Sequence, residues 1–179
     1  MDNIQTLSRR LRLLFQFLLV MVPVGVIYFW LVAGTELDIH PLLGIGTDVN
    51  IYTDLTLSFQ TRLAALTLSL LLTLIPLYAL VKLIRLFKNY EKTEVFTLEN
   101  ATIYHQLGRC LLLWIVAGII YGGLMSAALS FNNKPGERFL ELDFGGYDAL
   151  GLICAFLIIV ISQVMKTGYQ IAEENSHTV

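Results

Sequence analysis

Few residues in this chain could do chemistry, and their spacing argues against the usual kinds. Three histidines and two cysteines are present. His40, His105 and His177 lie far apart with no ligand-like spacing to Cys110 or Cys154, so no metal site is expected. The other polar groups inside apolar runs are Gln16, Thr67, Ser69, Thr73, Ser126, Ser130, Ser162 and Gln163. None is an acid or base, whereas catalysis within a membrane needs ionisable groups that converge. Helical Ser and Thr satisfy themselves on their own backbone carbonyls, so these residues read as packing and hydrogen-bonding glue. The expectation is a non-enzyme with no catalytic residues and no cofactor.

One stretch stands apart. "YEKTEVFTLEN", residues 90–100, is charged and aromatic and lies between two long apolar runs. Tyr90, Val95 and Phe96 are more apolar than a loop that only fixes topology requires, and exposed apolar spots of this kind pack or recognise.

The elements that carry this stretch follow from composition. The chain has 179 residues, 56% hydrophobic and 15% charged, outside the range of ordinary soluble domains. Spanning about 30 Å of hydrocarbon takes roughly 20 apolar residues at a rise of 1.5 Å. No charge occurs between Arg12 and Glu36, Arg62 and Lys82, Arg109 and Lys134, or Asp148 and Lys166. The reading is one membrane domain over 1–179 with spans at about 12–34, 62–81, 109–131 and 148–166. The first run is too long for the apolar region of a signal peptide, and "LVAG" lacks small residues at both cleavage positions, so a retained helix is expected.

Positive charge sets the orientation. Arg9, Arg10, Arg12, Lys82, Arg85, Lys88, Lys92, Arg109 and Lys166 fall on one side, nine of the twelve Lys/Arg; Arg62, Lys134 and Arg138 fall on the other. Both termini and the 82–108 loop are therefore expected in the cytoplasm, with loops 35–61 and 132–147 outside, in a cell (inner) membrane. The net charge of −2 includes no concentrated basic face, so no direct nucleic-acid binding is expected. Cys110 and Cys154 then sit at different depths, and no disulfide is expected.

The outer loops alternate apolar and polar residues in "VNIYTDLTLSF" (49–59) and "RFLELDF" (138–144), the period of a half-buried strand. An extracytoplasmic β-strand cap is expected there, with "GIGTD" and "NNKPGE" as breakers. Inside, Leu80, Leu83, Ile84 and Phe87 continue the second helix beyond the membrane. A new helix is expected after Thr97, whose hydroxyl can cap it, with Glu99 in its first turn. Residues 82–108 thus form a cytoplasmic helical hairpin standing roughly 10–15 Å off the leaflet, with the charged stretch at its tip. Gly118, Gly122, Ser126 and Ser130 form a ridge of small residues on the third helix that permits close helix approach. The ridge serves packing inside a four-transmembrane-helix bundle, against Gly151 and Ala155 for example, or a homodimer.

The tip resembles a segment of the bacterial membrane proteins grouped as domain of unknown function 2975 (DUF2975). In that family the segment reads "Y-x-K-G-x-I-F-T-x-E-N", followed by a tail "G-x-x-L-x-x-E-x-D-L-T-V". The matching residues are Tyr90, Lys92, Glu94, Val95, Phe96, Thr97, Glu99 and Asn100, with Gly108 beyond, then Gly168, Ile171, Glu174, Thr178 and Val179. The resemblance covers nearly the whole chain. Thr93 replaces the family's turn glycine and resists a left-handed cap, so a differently shaped turn is expected. Ser176 and His177 replace an Asp and a Leu. The resemblance implies an all-α four-span fold without established biochemistry, and, because many members are encoded beside small helix-turn-helix regulators, a membrane-side partner for such a transcription factor.

Two functions from different classes are therefore expected. The first is a sensor or regulator whose outer cap senses envelope state. Its surface for a cytoplasmic regulatory protein would comprise Tyr90, Lys92, Glu94, Phe96, Thr97, Glu99, Asn100, Glu174, Thr178 and Val179. The alternative is a small oligomeric channel, exporter or immunity-type membrane protein, for which the chain supplies no polar stripe along a path.

Overall fold

A computed structural model describes residues 2–33, 35, 57–134 and 136–176. Every regular element among them is a helix: α1 (Asp2–Val32), α2 (Phe59–Glu91), α3 (Leu98–Ser130) and α4 (Gly146–Ser176). Each is long and apolar enough to cross a membrane. At 31–33 residues and 1.5 Å per residue, each runs about 45–50 Å, well past the hydrocarbon thickness. Each helix is therefore longer than its uncharged run, which reaches the C-terminal end of α1 and α3 and lies within α2 and α4. The architecture is that of an all-α, multi-pass membrane protein, with Leu31, Leu74, Val116 and Val164 among many large apolar side chains left exposed, as a lipid-facing surface requires.

The helix starts are capped by local side chains. Ser58 Oγ accepts from the Thr61 N–H at 3.1 Å at the head of α2. At the head of α4, Asp148 reaches back to accept from the Gly145 N–H at 2.8 Å. Both satisfy donors that the first turn of a helix leaves without intrahelical partners. The Arg62 guanidinium donates to the Trp30 carbonyl at 3.3 Å, serving the acceptors that the end of α1 leaves open.

The chain divides into two compact units: Met1–Val20, Ile75–Ile115 and Gly145–Val179 in one, Met21–Leu74 and Val116–Phe144 in the other. In the first unit α3 and α4 run antiparallel, because Gly108 meets Ala155 and Ile159 while Ile115 meets Gly151. A Cβ on Gly108 would lie 2.5 Å from Ile159 Cγ1 and 3.1 Å from the Ala155 carbonyl oxygen. Hydrogen is the only side chain that fits this approach. Arg12 ties α1 to the end of α2 through Glu91 at 2.7 Å, beside a ring contact between Phe15 and Phe87 at 5.5 Å.

The second unit is built around Trp30, Ala65, Met125 and Leu129. Ser69 connects three helices: the Trp30 indole N–H donates to its hydroxyl at 2.8 Å, and the Tyr121 hydroxyl lies 2.9 Å from it. Thr67, Thr73 and Ser162 do bond to their own helix carbonyls. Ser69 instead supplies a tertiary contact that its sequence position gives no sign of.

The strand cap is a correction. Among the described residues there is no strand, and 138–144 has no regular secondary structure and no ladder. The segment lies along α3, where serine side chains take the place of a partner strand. Ser126 Oγ accepts from the Glu141 N–H at 2.9 Å. Ser130 Oγ accepts from the Phe139 N–H at 3.3 Å and donates to the Phe139 carbonyl at 3.2 Å. Alternation of apolar and polar residues reports an extended chain, not the identity of its hydrogen-bonding partner. The expected strand at 49–59 falls almost wholly outside the described residues, as does the "GIGTD" turn, and Phe59 itself opens α2.

The small-residue ridge also has a different occupant. Gly122 and Gly123 face the Glu141 carbonyl and Leu142, and a Cβ on Gly123 would lie 2.7 Å from Leu142 Cδ2. A Cβ on Gly118 would meet nothing within 4 Å. The ridge thus receives the chain's own 139–142 segment, while Gly151 and Ala155 pack near Ile115 and Gly108.

Candidate functional site

The α2–α3 tip is assembled from two helix ends and a short turn. At the end of α2 the Glu94 N–H donates to the Asn89 carbonyl at 3.1 Å and the Thr93 N–H to the Tyr90 carbonyl at 3.1 Å, the paired bonds of a Schellman motif. That motif needs a left-handed residue, and Thr93 takes φ of 64°. The expectation of a differently shaped turn is thereby corrected. The turn keeps the shape a glycine would give it, and the β-branched side chain bears the steric cost.

The start of α3 matches the expected cap. Thr97 Oγ1 accepts from the Asn100 N–H at 3.2 Å, and Glu99 in the first turn pairs with Arg85. Such a surface pair in solvent contributes little to stability.

Asn100 holds the parts together. Its amide N–H groups donate to the carbonyls of Glu94 at 2.6 Å and Val95 at 2.9 Å, and its Oδ1 accepts from Asn89 Nδ2 at 2.8 Å. Asn100 is fully buried and Asn89 nearly so. One side chain therefore satisfies two turn carbonyls and the Asn89 amide, linking α2 to α3, where an unpaired buried polar group would be costly. Tyr90 and Tyr104 close the adjacent turn, their hydroxyls 2.8 Å apart, with the Phe87 ring at 5.7 Å from that of Tyr90.

The ten residues expected to form a partner surface thus separate. Asn100 is buried, and Tyr90 and Thr97 build the tip. Lys92, Glu94, Phe96 and Glu99 are exposed there, with Phe96 at 73%. Glu174 is exposed on α4, and Thr178 and Val179 lie outside the described residues. Pattern reading missed Asn89. The available signal was an Asn on each flank of a turn, at the C-terminal end of one helix and the third position of the next.

Comparison with known proteins is decisive on family alone. The family model described as "Protein of unknown function (DUF2975)" matches residues 54–179. The chain belongs to the DUF2975 family. No curated protein and no solved structure matches it. The DUF2975 match takes in α2, the tip, α3 and α4, and begins after α1, a narrower extent than the resemblance suggested. In this DUF2975 chain, the tip residues Tyr90, Thr97 and Asn100 all make structural hydrogen bonds. Much of the tip motif therefore serves the architecture of the turn, and Lys92, Glu94 and Phe96 are exposed to solvent beside it.

Proposed function

We propose that this protein is a non-enzymatic membrane regulator that presents the α2–α3 tip to a soluble regulatory protein in the cytoplasm, with Phe96 as anchor. One observation carries the reading: Phe96 is 73% exposed on a turn whose backbone carbonyls are held by a buried side chain. A pre-organised turn loses little further entropy on binding, and aromatic side chains are typical interface anchors. Lys92 and Glu94 beside it offer both charge signs, which set register and partner choice. The nine-to-three distribution of Lys and Arg supports the cytoplasmic placement of this tip.

A photo-crosslinking amino acid at position 96 tests the proposal in intact cells. Adducts with one soluble protein are expected, and they should disappear when Lys92 and Glu94 are exchanged. Adducts with lipid alone would sink the reading, leaving Phe96 as a residue dipped into headgroups. Phe96→Ala should remove partner binding and leave membrane insertion and thermal stability unchanged, because so exposed a side chain contributes little packing.

A further inference from the structure

Between the first turns of α3 and the middle of α4 lies a pocket of about 420 Å³, within the range of small-molecule sites. Its cationic and polar lining comes from His105, Lys166, Gln163, Ser162 and Thr102. Leu98 and Ala101 supply apolar wall. The pocket opens one turn beyond the tight contact of Gly108 with Ala155 and Ile159.

Two of the hydroxyls are occupied: Ser162 donates to the Ile159 carbonyl at 2.9 Å and Thr102 to the Leu98 carbonyl at 2.9 Å. Among the described residues, His105, Gln163 and Lys166 have no hydrogen-bond or ion-pair partner. Arg109 sits four residues beyond His105 on α3, on the same helix face. No carboxylate lines the pocket, and Glu99, the acid in the first turn of α3, is engaged by Arg85. Unneutralised positive charge and N–H donors thus meet an apolar wall.

The depth of the pocket narrows the ligand. Arg109 and Lys166 each close an uncharged run, Arg109–Lys134 and Asp148–Lys166, and so mark the edge of the hydrocarbon on one side of the membrane. His105 and Lys166 lie at that edge, at the level of lipid phosphates, and basic pockets between membrane helices take anionic headgroups. We infer that this pocket binds the phosphate of an anionic phospholipid, its phosphodiester oxygens accepting from Lys166, Gln163 and His105 while the start of an acyl chain covers Leu98 and Ala101. The inference does not depend on the Phe96 surface or on which leaflet is involved.

Native mass spectrometry of the full chain in detergent, with added phosphatidylglycerol or phosphatidylcholine, tests it. One phosphatidylglycerol per chain should be retained, at about tenfold preference over phosphatidylcholine, whose phosphodiester is the same but whose quaternary ammonium brings a second positive charge close to Lys166. Lys166→Gln, which removes the charge and keeps a polar, slightly shorter side chain, should erase that preference; Lys134→Gln, in the other compact unit, should not. Equal retention of both lipids by the unmodified chain would overturn the inference even if Lys166→Gln fails to fold, as would a preference that survives Lys166→Gln. Displacement of phosphatidylglycerol by millimolar inorganic phosphate would make the occupant a soluble phosphate and overturn the lipid assignment.

Discussion

Asn89 and Asn100 face one another across the α2–α3 turn, the amide of Asn89 donating to the Oδ1 of Asn100 at 2.8 Å. They are eleven residues apart, one near the end of α2 and the other in the first turn of α3. This pair converts a charged loop into a fixed platform, and the behaviour of the tip follows from it.

Replacing Asn100 should loosen the turn without unfolding the membrane helices. Asn100→Ala leaves the Glu94 and Val95 carbonyls and the Asn89 amide without their partner, a loss of about 2–4 kcal/mol for several buried groups. Hydrogen exchange should rise sharply over 92–98 and stay unchanged over α4. Unaltered protection at the turn would show that the Schellman bonds alone hold it.

Thr93→Gly should act in the opposite direction. Thr93 holds φ at 64°, where a β-branched residue costs about 1–2 kcal/mol that glycine does not. Part of that gain is offset by the greater freedom of glycine in the unfolded chain. A rise in unfolding temperature is the expected readout, and a fall would mean that Thr93 makes a contact worth more than its strain.

The glycines of α3 should separate by their surroundings. Gly108→Ala must displace Ile159 and press on the Ala155 backbone, and overpacking of that kind costs roughly 1–3 kcal/mol. Gly118→Ala meets no neighbour within 4 Å and should be neutral or stabilising by up to about 1 kcal/mol through helix propensity. Gly123→Ala should fall between them, because the atom in the way is the end of the exposed Leu142 side chain. Thermal unfolding of the three variants in one detergent gives the order.

Orientation is open to a direct measurement. In a Cys154→Ser background, where the remaining Cys110 is buried, a cysteine at Asp54 or Glu141 should react with an impermeant thiol reagent in intact cells. A cysteine at Glu94 should react only after permeabilisation, as the Lys/Arg imbalance requires. The reverse pattern would remove the cytoplasmic partner altogether.

The sequence by itself determined what depends on neighbours along the chain. Four uncharged runs specify four spans because a hydrocarbon layer admits only backbone that satisfies itself, and the apolar stripe after Pro76 together with the hydroxyl of Thr97 locate the end of α2 and the start of α3. The candidate site was legible to the same depth: the motif marked the tip, and Phe96 was recognisable as too apolar for it.

Tertiary structure decided which polar groups meet. Alternation in 138–144 pointed to a paired strand, but only the folded α3 shows that Ser126 and Ser130, and not a second strand, receive its backbone. Likewise the Asn100 amide is as polar as any surface residue in the sequence, and its burial follows from the turn carbonyls and Asn89 arriving beside it. A hydrogen bond between distant residues has no local signature, because either partner could equally be satisfied by water until the fold excludes it.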